Sequence, residues 1–280
     1  MYLDVNGQPT YCYTGGKPFD SAKPTVVFIH GVLNDHSVWI LQTRYLAHHG
    51  FNVLAVDLPG HGRSAGPKRD IEPCRTVESA ADFILALLNA AEVKTAALIG
   101  HSFGSLIALE AAARAPSRIS HLAMVGTAFP MPVSPALLEA SLNQPLKAID
   151  MVNTFSHSML APPPSTLGPG TWLYGGSKAL MRRVQASNTR FNLFHTGFTA
   201  CNDYKQGLAC IEHALAAMLF VVGKSDQMTP PKAAMTLVNE AKAQRKDVKV
   251  VTLDAGHALM TEAPDGLLTA LKDFLAPLLH

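Results

Sequence analysis

The chain has 280 residues, 48% apolar and 16% charged, with 23 Lys and Arg against 21 Asp and Glu, a formal net charge of +2. That is enough apolar material for one large core near the upper size of a single domain, and it points to one domain carrying an insertion. A near-neutral balance without a long basic run excludes the electrostatic footprint of a nucleic-acid binder.

From the start, Tyr2-Leu3-Asp4-Val5-Asn6-Gly7 lacks the basic and apolar regions of a secretory signal, and the longest apolar run, around 214–222, is too short to span a bilayer. A cytoplasmic protein without membrane insertion is expected. Cys12, Cys74, Cys201 and Cys210 show no Cys-x-x-Cys or zinc spacing and read as free thiols of a reducing compartment.

Leu3 to Tyr13 reads as a hairpin turning at Asn6-Gly7, a dipeptide that accepts two positive φ angles. Strand and helix then alternate: strand 25–30, helix 37–49, strand 52–57, helix 76–91, strand 95–99, helix 103–115 and strand 121–126. The strands are continuous Val, Ile, Leu and Ala runs, the composition of a parallel sheet covered on both faces. The rhythm breaks over 130–212, which carries Pro130, Pro132, Pro135, the 161–170 proline and glycine loop and a short helical stretch at 178–188. Alternation resumes with strand 217–222, helix 231–244, strand 248–253 and helix 264–277. The expected fold is therefore α/β, a mostly parallel sheet with an N-terminal hairpin, built from 1–129 and 213–280 and divided by a helical insertion at 130–212.

In such sheets functional groups gather at the carboxyl ends of the strands. Strand 95–99 runs into Gly100-His101-Ser102-Phe103-Gly104 and then a helix, the strand-to-helix context of a nucleophile elbow. Strand 25–30 ends on His30-Gly31-Val32, strand 217–222 is followed by Gly223-Lys224-Ser225-Asp226, and strand 248–253 by Ala255-Gly256-His257. A serine, a carboxylate and a histidine thus occupy one sheet edge in the order Ser102, Asp226, His257, a triad arrangement. Asp226 could instead cap the next helix, and Asp254 and Asp203 are other candidate acids, although Asp254 lies only three residues before His257. Gly60-x-Gly62-x-x-x-Gly66 is no dinucleotide fingerprint, because its third glycine is misplaced and Pro59 and Pro67 interrupt the turn. The adjacent His48-His49 pair has no metal-ligand spacing, and neither a metal nor a cofactor is expected.

Over nearly its whole length the chain resembles a lidded α/β-hydrolase fold protein. The resemblance implies that Ser102 is the nucleophile, His257 its general base and Asp226 the carboxylate that orients His257. It also implies an oxyanion hole made by the backbone N–H groups of Val32 and Phe103. The inserted lid offers Phe155, Met159, Leu160, Trp172, Leu173, Phe191, Phe194 and Phe198 as either pocket roof or lid core. His157 and His195 there are polar substrate contacts or exposed histidines. His30 is a candidate substrate contact or, like His101, a structural bond to loop backbone beneath the site.

A serine hydrolase is expected, one that cleaves a small, apolar carboxylic ester, thioester or lactone through an acyl-enzyme. A serine at the elbow argues against relatives that open epoxides, which place aspartate there. Two alternatives stay open: a carbon-carbon bond hydrolase of the same fold, whose elbow often reads Gly-Asn-Ser, and a non-catalytic small-ligand receptor.

Overall fold

The computed structural model describes residues 1–20, 22–158 and 172–279. Strands β1 (Tyr2–Val5), β2 (Gln8–Tyr13), β3 (Thr25–Ile29), β4 (Asn52–Val56), β5 (Ala96–His101), β6 (Ile119–Val125), β7 (Ala217–Gly223) and β8 (Val248–Leu253) form one sheet in the order β1-β2-β4-β3-β5-β6-β7-β8. The expected hairpin is present: β1 pairs antiparallel with β2, and Asn6 and Gly7 both take positive φ, 55° and 79°. The β2–β4 pair is also antiparallel, and every pair from β4 to β8 is parallel.

Successive side chains of a strand point to opposite faces, and the two cores follow that period. Val27, Ile29, Leu98, Leu122, Met124 and Phe220 join one buried cluster with α2 (Val77–Ala90), α3 (Phe103–Arg114) and α9 (Pro231–Ala243). Their alternates Val26, Phe28, Ala97, Ile99, Ala123 and Val125 join the other with α1 (Ile40–His48) and α11 (Pro264–Leu275). Cover on both faces explains why these strands read as unbroken apolar runs.

Between β6 and β7 lie α4 (Pro135–Asn143), α5 (Pro145–Ser156), α6 (Leu173–Ser187), α7 (Leu193–Asp203) and α8 (Gly207–His213). The first four enclose their own small core around Ile149, Met181, Val184, Leu193 and Phe194. Cys210 and Ile211 of α8 belong instead to the sheet cluster with α3 and α9. The sequence expectation for this region was too short at α6, which begins at Leu173. Gly175 and Gly176 in its first turn weaken helix propensity and hide that start. Among the described residues no helix is long and apolar enough to cross a membrane.

Candidate active site

Ser102 sits between the end of β5 and the first turn of α3 with φ 53° and ψ −120°, a conformation that costs a non-glycine residue on the order of 1–3 kcal/mol. Its neighbours over-determine that geometry. A Cβ on Gly100 would overlap the Gly104 carbonyl, and one on Gly104 would overlap the backbone of Ile29 and His30. The Ser102 N–H donates to the Val125 carbonyl at 2.9 Å, which ties the elbow to β6. Its side chain makes no capping bond to α3, so the hydroxyl is left to the cavity that Ser102 borders.

His257 follows β8 and is buried. Its Nδ1 lies 2.8 Å from Asp226 Oδ2 and 3.0 Å from Thr229 Oγ1, and the Thr229 hydroxyl donates to the same Asp226 oxygen at 2.8 Å. A carboxylate beside Nδ1 fixes the proton there and leaves the Nε2 lone pair free. Asp226 Oδ1 accepts the backbone N–H groups of Met228 and Thr229, each at 2.8 Å. Its two oxygens thereby divide the work: one closes the turn after β7, the other faces the imidazole. Burial pushes the Asp226 carboxyl up, but the charge of His257 and the hydrogen bonds from His257 and Thr229 outweigh it and hold the group below the usual carboxylate range. Asp254 and Asp203 make no hydrogen bond to His257 among the described residues.

Ser102 and His257 border one cavity of about 370 Å³. No hydrogen bond between the Ser102 hydroxyl and His257 is present among the described residues; in ligand-free sites such contacts are commonly long and tighten around substrate. The N–H groups of Val32 and Phe103 donate to no protein acceptor among the described residues. That of Phe103 belongs to the positive end of α3. Leu33, just past Val32, takes φ 56° and is buried in the inserted-helix core.

The cavity wall is largely apolar, with Val32, Val38, Val152, Leu180, Met181, Phe198, Met228 and Met260; Asn34, Ser37, Ser177 and Arg183 add polar groups. Trp172 lines it and is 59% exposed. The other pocket candidates need correction. Phe194 is fully buried in the inserted-helix core and Phe155 points to solvent at 45% exposure; neither lines the cavity. Met159 lies outside the described residues, as do Leu160 and the 161–170 loop. His30 does not touch the cavity either: its Nε2 accepts from Leu58 N–H at 3.1 Å and its Nδ1 meets the Gly31 carbonyl at 2.8 Å. His195 bonds within the insertion, to Ser141 and the Leu138 carbonyl.

One contributor escaped sequence reasoning, and His101 plays the structural part expected of it. Thr229 stands three residues after Asp226, and only that spacing, which lets the carboxylate close a turn, hints at it. His101, inside the elbow, donates Nε2–H to the His257 carbonyl at 2.9 Å and packs against that ring with centroids 4.6 Å apart. Burial, then the neighbouring His257 charge, drives its pKa down to about 3, so it stays neutral.

A mostly parallel, two-faced sheet carrying a strained serine, a buried histidine and a buried aspartate on one edge defines an α/β enzyme scaffold of the nucleophile-elbow type. Residues 26–270 match the alpha/beta hydrolase family, and the chain belongs to that family. It is 32% identical over 126 residues to the dihydrolipoyllysine-residue acetyltransferase component of the acetoin cleaving system of Cupriavidus necator, covering 45% of this chain and 31% of that protein. It is 34% identical over 97 residues to an epoxide hydrolase of Caballeronia sordidicola, covering 35% and 29%. The chain thus spans about a third of the length of these relatives. Among solved structures it resembles the enol-lactonase of Burkholderia xenovorans (TM-score 0.79, 22% identity, 99% of this chain and 100% of that one). It also resembles an esterase of Exiguobacterium antarcticum (TM-score 0.80, 18% identity, 98% of each). At these identities the likeness is one of fold.

Proposed function

We propose that the protein is a serine hydrolase acting on a small, apolar carboxylic ester, thioester or lactone, with 1–129 and 213–280 as catalytic core and 130–212 as lid. The observation that carries this is the Asp226–His257 pair, joined at 2.8 Å, whose histidine borders the same largely apolar cavity as Ser102. Ser102 Oγ attacks the carbonyl as His257 Nε2 takes its proton, and the buried Asp226 carboxylate stabilises the resulting imidazolium through Nδ1–H. The N–H groups of Val32 and Phe103 receive the developing oxyanion. Collapse expels the leaving group, protonated by His257; water, activated by the same base, then releases the acid. The wall of Val152, Leu180, Met181 and Phe198 favours an apolar acyl or leaving group and keeps water from competing with the donors.

An activated phosphonate followed by mass mapping tests the nucleophile: the label is expected on the peptide containing Ser102 and absent from Ser102→Ala. That variant should hydrolyse p-nitrophenyl butyrate at least ~10³-fold more slowly than the wild type. Labelling elsewhere, or turnover that survives in Ser102→Ala, sinks the assignment. No turnover by the wild type across a wide ester panel, together with tight ligand binding, would favour a receptor.

A further inference from the structure

The backbone of His257 is held at both ends, and only one end is held by the sheet domain. Its carbonyl accepts from His101 of the elbow, whereas its N–H donates to the carbonyl of Ser156, the last residue of α5, at 2.7 Å, and the next N–H, from Ala258, reaches the same oxygen at 3.2 Å. The approach is close enough that a Cβ on Gly256 would stand 2.6 Å from the Ser156 carbonyl oxygen and 2.7 Å from the Ser158 nitrogen. Glu262, on the short helix α10 (Leu259–Glu262), closes this junction and is 4% exposed. Its Oε2 accepts from Gly256 N–H at 2.9 Å and from Ser158 N–H at 3.1 Å; its Oε1 lies 3.2 Å from the same Ser158 nitrogen, and the Ser158 hydroxyl also donates to Oε2. One buried carboxylate therefore binds the histidine loop and the end of an inserted helix at once.

We propose that Glu262 is a positioning residue for His257, locking the histidine loop onto the end of α5 so that the imidazole stays in register with Asp226 and Ser102. The seating of the inserted helices is then a condition of catalysis as well as of substrate shape. A buried carboxylate needs donors on its oxygens, and those donors need it in return: without Glu262 the buried Gly256 N–H loses its partner, and Ser158, itself exposed, loses its tie to the histidine loop. The loop relaxes to recover them, and a displacement of about 1 Å in a catalytic base costs on the order of 10²-fold in rate.

The kinetic half of the test rests on the serine-hydrolase reading; the spectroscopic half does not. Glu262→Ala should lower kcat for p-nitrophenyl butyrate by about 10- to 100-fold with KM changed by less than about 3-fold, and Glu262→Gln, which keeps one acceptor oxygen, should recover part of the loss. In parallel, the downfield Nδ1–H proton resonance of His257, identified by its loss in Asp226→Ala, should broaden or move in Glu262→Ala and shift less in Glu262→Gln. If the alanine variant does not fold, the glutamine variant is read alone against the wild type, with a partial loss of kcat and a displaced resonance expected. An unchanged resonance with unchanged kcat in a folded variant overturns the proposal, as does a rise in KM alone, which would assign Glu262 to the shape of the pocket. Should Ser102→Ala keep full turnover, the serine reading fails, and the resonance by itself decides whether Glu262 positions His257.

Discussion

At the carboxyl edge of the sheet, position is set by backbone hydrogen bonds; in the inserted helices it is set by side-chain packing. The elbow inherits its place from the β5–β6 ladder, in which Gly100 faces Met124 and His101 faces Val125, and the Ser102 N–H continues that ladder to Val125. The loops after β7 and β8 are likewise fixed by the pairing of Gly223 with Leu253 and by the Lys224 and Ser225 N–H bonds to Leu253 and Ala255. The inserted helices meet that frame only at points, such as the His257 and Ala258 N–H bonds to Ser156 and the Thr189 N–H bond to Arg69, and are otherwise placed by packing. Trp172 precedes α6 without capping it and is 59% exposed, while Phe194 in the same insertion is fully buried. In the proposed reading, chemistry is thus built where geometry is stiff, and selectivity where it can be altered without disturbing the ladder.

The sharpest way to break this contrast is at Asp226, whose carboxylate serves both a turn and the imidazole. Asp226→Asn keeps an oxygen for the Met228 and Thr229 N–H groups but cannot hold the Nδ1 proton in place, so kcat should fall by about 10⁴-fold with KM little changed. Thr229→Val, which removes the hydroxyl shared by Asp226 and His257, should cost less, on the order of 10-fold. Steady-state kinetics on one ester decides both. A loss in Asp226→Asn no greater than in Thr229→Val would show that the carboxylate does not orient the base.

The stiff edge also has a pH signature. His101 has a pKa of about 3 in the folded protein against an ordinary value of 6.5, because burial and then the charge of His257 disfavour its protonation. Below pH 6.5 the unfolded chain binds a proton that the folded protein refuses, so stability falls with decreasing pH until the folded pKa is reached, by up to ~1.4 kcal/mol per pH unit for this one group. His61, lowered to about 4 by burial and then by His30, acts in the same direction over a narrower window. Urea unfolding at pH 5 and pH 7 should show a difference in stability that shrinks by about one proton's worth in His101→Gln. An equal difference in both proteins would mean that His101 is not held neutral by its surroundings.

The same contrast explains what could be read without coordinates. The hairpin was legible because Asn6-Gly7 is one of few dipeptides that take two positive φ angles, and the parallel sheet because strands buried on both faces are apolar at every position. The residues of the candidate site lie at strand ends, where chain order already implies proximity. Thr229 and Glu262 were not legible, since the contact that matters for each is distant in the chain, Thr229 with His257 and Glu262 with Ser158. The aromatic residues of the insertion were legible only as a set. Phe155 and Phe198 are both plausible pocket walls by spacing, yet α5 turns Phe155 to solvent and α7 turns Phe198 inward, because the packing of α4 to α7 decides which helix face is covered. Chain order is silent for a related reason on α8, which follows α7 after a short loop but buries Cys210 and Ile211 against the sheet cluster.

Trp172 offers the mildest test, from the adaptable side. It lines the cavity beside Leu173 and stacks on Tyr174 with ring centroids 5.6 Å apart, yet more than half of its surface faces solvent. Its ring is therefore a wall at the cavity mouth, and removing it uncovers apolar surface without leaving a buried void or an unpaired donor. Trp172→Ala should leave kcat for an acetyl ester within about 2-fold of the wild type while raising KM for longer acyl esters by about 3- to 10-fold, the scale of a few methylene contacts. A chain-length series of p-nitrophenyl esters, from acetate to octanoate, reads this directly. A uniform loss of kcat across the series would mean that the inserted helices reach the chemistry through Trp172 as well as through the α5 junction, and the division between stiff edge and adaptable roof would have to be drawn elsewhere.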